Sequence, residues 1–446
     1  MDRIWIVDNE PSERYPIYTR GNVGEVFPEA VAPLSWTLGA VKIAEPSWRE
    51  AFKRFGAFDV EEFDPDQIEI LGCFGGYAYL NVSISRILAV RTPGLTPELI
   101  DQAFFGDSDA PAYSALPTDE SPAHAERIMQ TLGWILTTDG LPELLDDQHE
   151  VDEVVAARPD LTTLSDRELI ERTRYIYGDL FFRLYGQHIF ITYCATVPVG
   201  IVQAVCTEIG DPTLAMKLVA GIGDVDSAAP SWAMWELGRE ARNDAEVTAA
   251  FDAGVPGLLE RLRALPAAAA FVKGFDDLLD RFGSRGPNEW ETRSPTWGTH
   301  PELALAAIDR MRLVPEGQGP QINWDERAAE RDALTQHIAS ALESMPEVQG
   351  QFLAGVRAAG IFLAGRERTK TTVIKLLHEG RLALHELGRR MVAAGHFDEV
   401  EDYGMLTDDE LDHFLEDPAS YRDTIVERRR RFETLRLLEP PFIVNG

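Results

Sequence analysis

The stretch LAGVRAAGIFLAGRERTKTTVIKLLHEGRLALHELGRRM, Leu353–Met391, decides the fold class. Its apolar residues recur at three- and four-residue spacing. At about 100° per residue, Val356, Leu363, Ile374, Leu377 and Leu384 fall on one side of a helix. Arg366, Glu367, Lys370 and Arg381 fall on that same side. Charged groups are rarely buried unless they are paired or face a polar cavity. Arg366 and Lys370 are also i,i+4 neighbours, so both cations can converge on one point. Two readings stand side by side. Glu367 and other carboxylates neutralise the pair, or the helix breaks at Gly365 and the phase is lost. Alternatively, the cations line a cavity and stabilise negative charge on a transferring phosphoryl group.

Working outward, the same periodicity runs through Asp166–Tyr185, Asp244–Leu265, Asp325–Met345 and Gln351–Ala394. Ser165 with Asp166, and Thr407 before Asp408, Asp409 and Glu410, read as helix starts. Strand signals are short, with Ile4–Val7 and Tyr77–Ile84 the better candidates. The expected fold is mainly α, a multi-helix domain with a few short strands near the N-terminus. A chain of 446 residues exceeds what one hydrophobic core holds. Loop-rich punctuation at Gly106–Ser121, Gly283–Glu302 and Pro315–Asn323 suggests a mixed segment over 1–120, a helical subdomain over 121–314 and a long-helix subdomain over 324–446. The tail LLEPPFIVNG, Leu437–Gly446, reads as an apolar stub entering a linker, as if the chain continued beyond it.

The formal net charge of −32 repels phosphate backbones and anionic lipid, which argues against nucleic-acid and membrane-surface roles. Cys73, Cys194 and Cys206 have no CxxC spacing, and no HExxH or comparable metal-ligand pattern occurs, so no metal is expected. Met1–Tyr15 lacks a basic segment followed by an apolar one. Ile189–Thr207 is uncharged and nearly long enough to span a membrane. Its Thr192, Thr196, Pro198, Gly200 and Gln203, without basic flanks, favour a buried helix pair or a bent core helix. The expected location is cytoplasmic. No phosphate loop, dinucleotide fingerprint, nucleophile elbow or kinase motif set is present. The glycines of GCFGG, Gly72–Gly76, have no strand–turn–helix context and suit a tight packing site. The Arg428–Arg431 run suits a solvated helix face.

Two further clusters carry chemistry. In FGSRGPNEWE, Phe282–Glu291, Arg285 sits between glycines with Glu289 and Glu291 close behind. Such a loop can aim an arginine fork at an anion while the glutamates hold or deprotonate groups. The alternative is a turn whose Arg–Glu pair is structural. In YTRGNVGEVFP, Tyr18–Pro28, Arg20, Asn22 and Glu25 follow an extended opening, and a turn that only fixes the chain path explains them as well.

The strings TRGNVGEVFPEAVAPLSW (Thr19–Trp36), FGSRGPNEWE, GRERTK (Gly365–Lys370) and HELGRRMVAAGHFDEVEDYGMLTDDEL (His385–Leu411), in that order, resemble the central region of phosphoenolpyruvate-synthase-like enzymes. The kin include rifampicin phosphotransferases and the split synthases that phosphorylate phenol or 4-methylphenol. The resemblance implies that the chain is the acceptor-binding helical part of an ATP-dependent, phosphohistidine-mediated phosphotransferase. The acceptor would be a small, hydroxylated, phenolic molecule. ATP and Mg would bind a partner ATP-grasp subunit and not this chain. The swivelling histidine domain would come from a continuation beyond Gly446 or from a separate chain. Arg366 and Lys370 match the family's R-E-x-x-K segment as charge clamps, and Glu367 orients them or helps accept the hydroxyl proton. Arg285 and Glu289 match the R-x-x-x-E loop, and Arg20, Asn22 and Glu25 match the opening motif as substrate-binding residues. The chain departs from its kin at Arg368 and Thr369, where relatives carry Tyr-Pro. An acceptor of this kind needs apolar and aromatic walls, for which Phe74, Tyr77, Trp290 and Phe362 are candidates. The rival reading is a non-catalytic binding or scaffold protein that retains the helical fold.

Overall fold

In the computed structural model the Leu353–Met391 stretch lies inside one unbroken helix, Pro346–Ala393, of 48 residues. The structure describes residues 4–106, 109, 111–222 and 229–446. Residues 107, 108 and 110 of the expected Gly106–Ser121 loop lie outside the described residues. Gly365 does not break the long helix; it lets a neighbour approach. A Cβ there would lie 2.8 Å from Leu141 Cδ1 and 3.1 Å from Leu144 Cδ1, too close for any other residue without displacement.

The long helix packs along a second helix, Asp179–Glu208, of 30 residues. This element holds the uncharged Ile189–Thr207 segment as a single helix with Pro198 inside it, not as a helix pair. The helical stretch Asp166–Glu208 is apolar and long enough to cross a membrane by length and composition, and half of its most apolar window is buried within the protein. Ile191, Cys194 and Val202 are fully enclosed.

Several boundaries differ from the sequence reading, each for a local reason. Asp166–Tyr185 is interrupted after Ile176 and resumes at Asp179. Its start is the expected one, a capping box in which the Ser165 side chain accepts from the Glu168 N–H and Glu168 reaches back to the Ser165 N–H. Asp244–Leu265 divides into Ala245–Asp252 and Leu258–Ala264, because Gly254 and Gly257 take φ of 95° and 67°. Those left-handed values end a helix and suit glycine. Asp325–Met345 is served by Pro320–Ala341. Ile4–Val7 is not a strand: the Asp8 carboxylate accepts from the N–H groups of Ile4 and Trp5 and curls the segment into a turn.

Eighteen α-helices are formed among the described residues, with one small antiparallel sheet. Its strands are β1 (Ile17–Thr19), β2 (Leu71–Phe74), β3 (Tyr77–Asn81) and β4 (Ile443–Asn445), in the order β2-β3-β1-β4. Gly75 and Gly76, at φ 61° and 84°, form the two-residue turn between β2 and β3, which gives the GCFGG glycines their purpose. Tyr77–Ile84 is strand only as far as Asn81, whose side chain accepts from the Ile84 N–H and starts the Val82–Arg91 helix. The apolar tail stub contains a strand. It is β4, paired with β1 in the register Ile17–Asn445 and Thr19–Ile443.

The principal core takes residues from the whole length of the chain, among them Leu34, Phe52, Ile135, Phe181, Leu376 and Phe414. A second core joins Met234, Phe251, Phe271, Phe275 and Ile308. Within the arginine run, Arg428 binds Glu410 and Arg429 binds Asp398 and Asp402, while Arg430 and Arg431 face solvent.

Candidate functional site: an aromatic cavity with a cationic mouth

Where the long helix and the Asp179–Glu208 helix face the N-terminal segment, they enclose a cavity of about 210 Å³. One ordered water needs only about 10–15 Å³ on the same scale, so the space suits an organic molecule.

Its walls follow from spacing along the chain. Phe181, Tyr185 and Thr192 lie on one face of the Asp179–Glu208 helix, with Tyr177 a turn before. Tyr177 stacks on Phe181 at 5.0 Å and Phe181 on Tyr185 at 6.1 Å. The hydroxyls are anchored: Trp48 Nε1 donates to Tyr185 Oη at 3.2 Å, and Tyr177 Oη meets Thr292 Oγ1 at 3.1 Å. Burial pushes the Tyr185 phenol up to about 12. Opposite them, Ser35–Ala44 is a ten-residue π-helical stretch that presents Ser35, Trp36, Gly39 and Ala40 to the cavity. π-helical turns are rare and occur frequently at functional sites.

The FGSRGPNEWE loop closes another side. Trp290 lies over the His188 ring at 5.7 Å, nearly parallel, and meets Tyr185 edge-on at 5.8 Å. The loop is pinned from both sides. Arg381, fully buried on the long helix, donates to the carbonyls of Glu289, Glu291 and Thr292 at 2.7, 3.0 and 3.1 Å. The Glu291 carboxylate accepts from Ser35 Oγ and from the N–H groups of Ala32 and Arg293, tying the loop to the π-helical stretch. Burial raises the Glu291 carboxyl above its usual value.

Arg366 and Lys370 stand at the mouth. Both line the cavity; Arg366 is exposed and the Lys370 side chain is 34% exposed. Lys370 Nζ lies 3.8 Å from one Glu289 oxygen, and the other Glu289 oxygen pairs with Arg285 Nε at 2.8 Å. Arg285 and Glu289 therefore sit behind the clamp and not on the cavity wall. Arg285 Nη1 is buried without a hydrogen-bond partner among the described residues. Glu367 is partly buried and does not line the cavity.

Of the opening motif, Asn22 and Glu25 reach the cavity as exposed rim residues. Asn22 has φ 70° and ψ −64°, in a tight turn closed by the Val23 N–H on the Gly21 carbonyl at 3.0 Å. That conformation is strained for a residue with a side chain. Arg20 turns away from the space and holds the turn, donating to the carbonyls of Ala78 and Phe27 at 2.9 and 2.8 Å. Among the proposed walls only Trp290 serves. Phe74 and Tyr77 belong to the sheet's own cluster, and Phe362 packs against Trp134 at 5.3 Å.

The walls Tyr177, Phe181 and Tyr185 went unread in the sequence, and so did His188. His188 lines the cavity, is 9% exposed, and places Nδ1 3.0 Å from Thr369 Oγ1. Burial first, then Arg366 and Lys370, drives its imidazole down to about 3, so it is neutral near pH 7. Its signal lay in position: it falls one turn after Tyr185 on a face that is otherwise aromatic.

One cluster among the described residues brings metal-ligand atoms together, Asp59, Glu62 and His124. Both carboxylates are already held bidentately, Glu62 by Arg91 and Asp59 by Arg127, so the group is charge-balanced without an ion.

The arrangement thus offers a largely aromatic pocket for a flat organic molecule and, at its mouth, two cations able to hold an anion. Residues 188–367 match the family model of the rifampicin phosphotransferase fourth domain, from His188 through the FGSRGPNEWE loop to the Arg366–Glu367 pair. Uncharacterized proteins of Mycobacterium tuberculosis and Mycobacterium bovis are each 24% identical over 98% of this chain and 48% of their own length. A rifampicin phosphotransferase of a Streptomyces species is 26% identical over 49% of this chain and 27% of that protein. The chain spans about half the length of the mycobacterial relatives. Residues 188–367 are thus similar to the fourth domain of rifampicin phosphotransferases, and about half of the chain is distantly similar to one such protein.

Proposed function

We propose that this chain is the acceptor-binding part of an ATP-dependent, phosphohistidine-mediated phosphotransferase. Its acceptor is a small, hydroxylated, largely aromatic molecule. The observation that carries the reading is the pairing of an aromatic cavity with Arg366 and Lys370 at its mouth. An acceptor seated among Trp36, Tyr185 and Trp290 would present its hydroxyl toward the two cations. A phosphoryl group arriving from outside would meet them first. The phosphoryl transition state spreads charge over its oxygens, so positioned Arg and Lys side chains carry much of the rate. ATP and Mg would be handled by an ATP-grasp subunit, and a swivelling histidine domain would bring the phosphoryl group.

The non-catalytic binding reading rests on one observation: Glu289 stands 3.8 Å from Lys370 and partly offsets its charge. Reconstitution separates the two. The chain is mixed with an ATP-grasp subunit and a histidine domain from the same organism, and transfer from ATP to a panel of phenols and alcohols is followed. Transfer only in the complete mixture is the expected result. Silence with a demonstrably charged histidine domain, alongside tight binding of a panel member, would establish the binding protein.

A further inference from the structure

The hydrogen bonds around His188 fix which of its nitrogens carries the proton. Thr369 has one hydroxyl proton, and it is donated to the Arg366 carbonyl at 3.0 Å. With that proton on the Arg366 carbonyl, Thr369 Oγ1 accepts at its 3.0 Å contact with the ring, an arrangement that places the hydrogen on Nδ1 and leaves Nε2 its lone pair. Nε2 makes no hydrogen bond within the protein among the described residues, and the ring lines the cavity. The chain therefore provides a fixed, neutral proton acceptor between the aromatic pocket and the two cations at its mouth.

We propose that His188 takes the proton of the acceptor hydroxyl through Nε2, and does so only when a phosphoryl dianion lies against Arg366 and Lys370. This inference rests on the acceptor-site reading above. The acceptor oxygen forms a bond to phosphorus as the phosphorus–nitrogen bond of the donor phosphohistidine breaks. The electron pair of that bond goes to the donor nitrogen, and the donor ring, protonated on its other nitrogen, leaves as neutral imidazole. The hydroxyl proton passes to Nε2, leaving His188 as an imidazolium that later returns it to solvent.

The dependence on the dianion follows from the charges that face the ring. Arg366 and Lys370 on the long helix oppose its protonation. Tyr185 on its own helix is neutral, and Glu25 lies across the cavity at the rim. Glu289 acts at one remove through Lys370. A dianion on the two cations cancels their repulsion and adds an attraction for an imidazolium, so the base gains strength when the donor is in place. An empty site keeps the ring neutral and able to accept a hydrogen bond from an incoming hydroxyl.

The test needs neither partner nor natural acceptor. The full chain, with isotope-labelled histidines, is titrated by NMR with and without inorganic phosphate. Without phosphate, the His188 ring is expected as the Nδ1–H tautomer, with no protonation between pH 5 and 8. Saturating phosphate should raise its midpoint by at least one pH unit. A free-chain midpoint near the ordinary histidine value, an Nε2–H tautomer, or a ring that ignores phosphate would each overturn the inference. In the reconstituted reaction, His188→Asn keeps a donor for Thr369 and lacks the Nε2 base. It should lower kcat by about 10²-fold or more with little change in acceptor KM, while unchanged kcat overturns the proposal. Thr369→Val, which frees the tautomer, should cause a smaller loss and a mixed tautomer signal. If wild-type mixtures are silent, the acceptor-site reading fails, and the phosphate titration still decides the ring's behaviour.

Discussion

The long helix carries basic residues at two places on one face, and they have opposite uses. Arg381 is fully enclosed and spends its guanidinium on three backbone carbonyls of the FGSRGPNEWE–Thr292 loop. Arg366 and Lys370, three to four turns earlier, line a cavity mouth where no backbone carbonyl among the described residues takes up their side-chain hydrogen bonds. Residue type and phase are the same, so neither distinguishes a clamp on the protein from a clamp on a ligand. The packing does, because at Arg381 a loop fills the groove and at Arg366 and Lys370 the groove is left open.

Substitution should break this comparison most sharply at the buried end. Arg381→Ala takes a charge-assisted hydrogen bond from three interior carbonyls, of which Glu291 keeps the Ser294 N–H and Thr292 keeps the Tyr403 hydroxyl. The expected cost is about 3–5 kcal/mol of unfolding free energy, read by urea titration. A loss under about 1 kcal/mol would mean that the loop holds itself. At the open end the order of effects reverses. Lys370→Ala should shift stability by at most about 1 kcal/mol and lower phosphoryl transfer in the reconstituted system by about 10²–10³-fold. Unchanged turnover would return Lys370 to a structural pairing with Glu289.

The cations also leave a mark on stability. His188 has a folded value of about 3 against an ordinary 6.5. Between those limits the unfolded chain binds the proton and the folded chain does not, so stability falls as pH drops from about 6.5 toward 3. One such group contributes a slope of about 1.4 kcal/mol per pH unit. His188→Asn should flatten the acid limb of the pH–stability curve by that much. His385, held down to about 4 by burial and by His300, supplies a separate slope that the variant leaves in place. An identical acid limb in wild type and variant would show that His188 titrates normally.

How far the sequence reached follows the same division. The mainly helical fold, the helix start at Ser165 and the apolar spacing from Val356 to Leu384 were readable because they depend on local spacing. The i,i+4 pair of Arg366 and Lys370 was readable for that reason too. What escaped depends on contacts distant in the chain. The strand within the tail was not read because β4 finds its partner β1 more than 400 residues away. For Arg20 the sequence left a substrate contact and a chain-fixing turn both open, and the distant Ala78 carbonyl that joins Phe27 in holding it could not be seen there. His188 escaped because its partner, Thr369, lies 181 residues along the chain.

The smallest expected effect tests whether the two ends of the helix are linked. Trp290 sits on the loop that Arg381 pins, and its indole covers the His188 ring at the cavity wall. Trp290→Phe keeps an aromatic surface but loses area and the near-parallel overlap. Aromatic contacts of this kind are worth about 0.5–1.5 kcal/mol beyond burial, so acceptor KM should rise by roughly 2- to 12-fold with little change in kcat. Arg381→Lys offers one point charge where a planar fork met three carbonyls, and it should loosen the loop without emptying the site. If Arg381 acts on the acceptor only by placing Trp290, then Arg381→Lys should raise KM in the same range. Adding Trp290→Phe to it should then raise KM no further. Additive effects would instead assign Arg381 an influence on the cavity that does not pass through the indole.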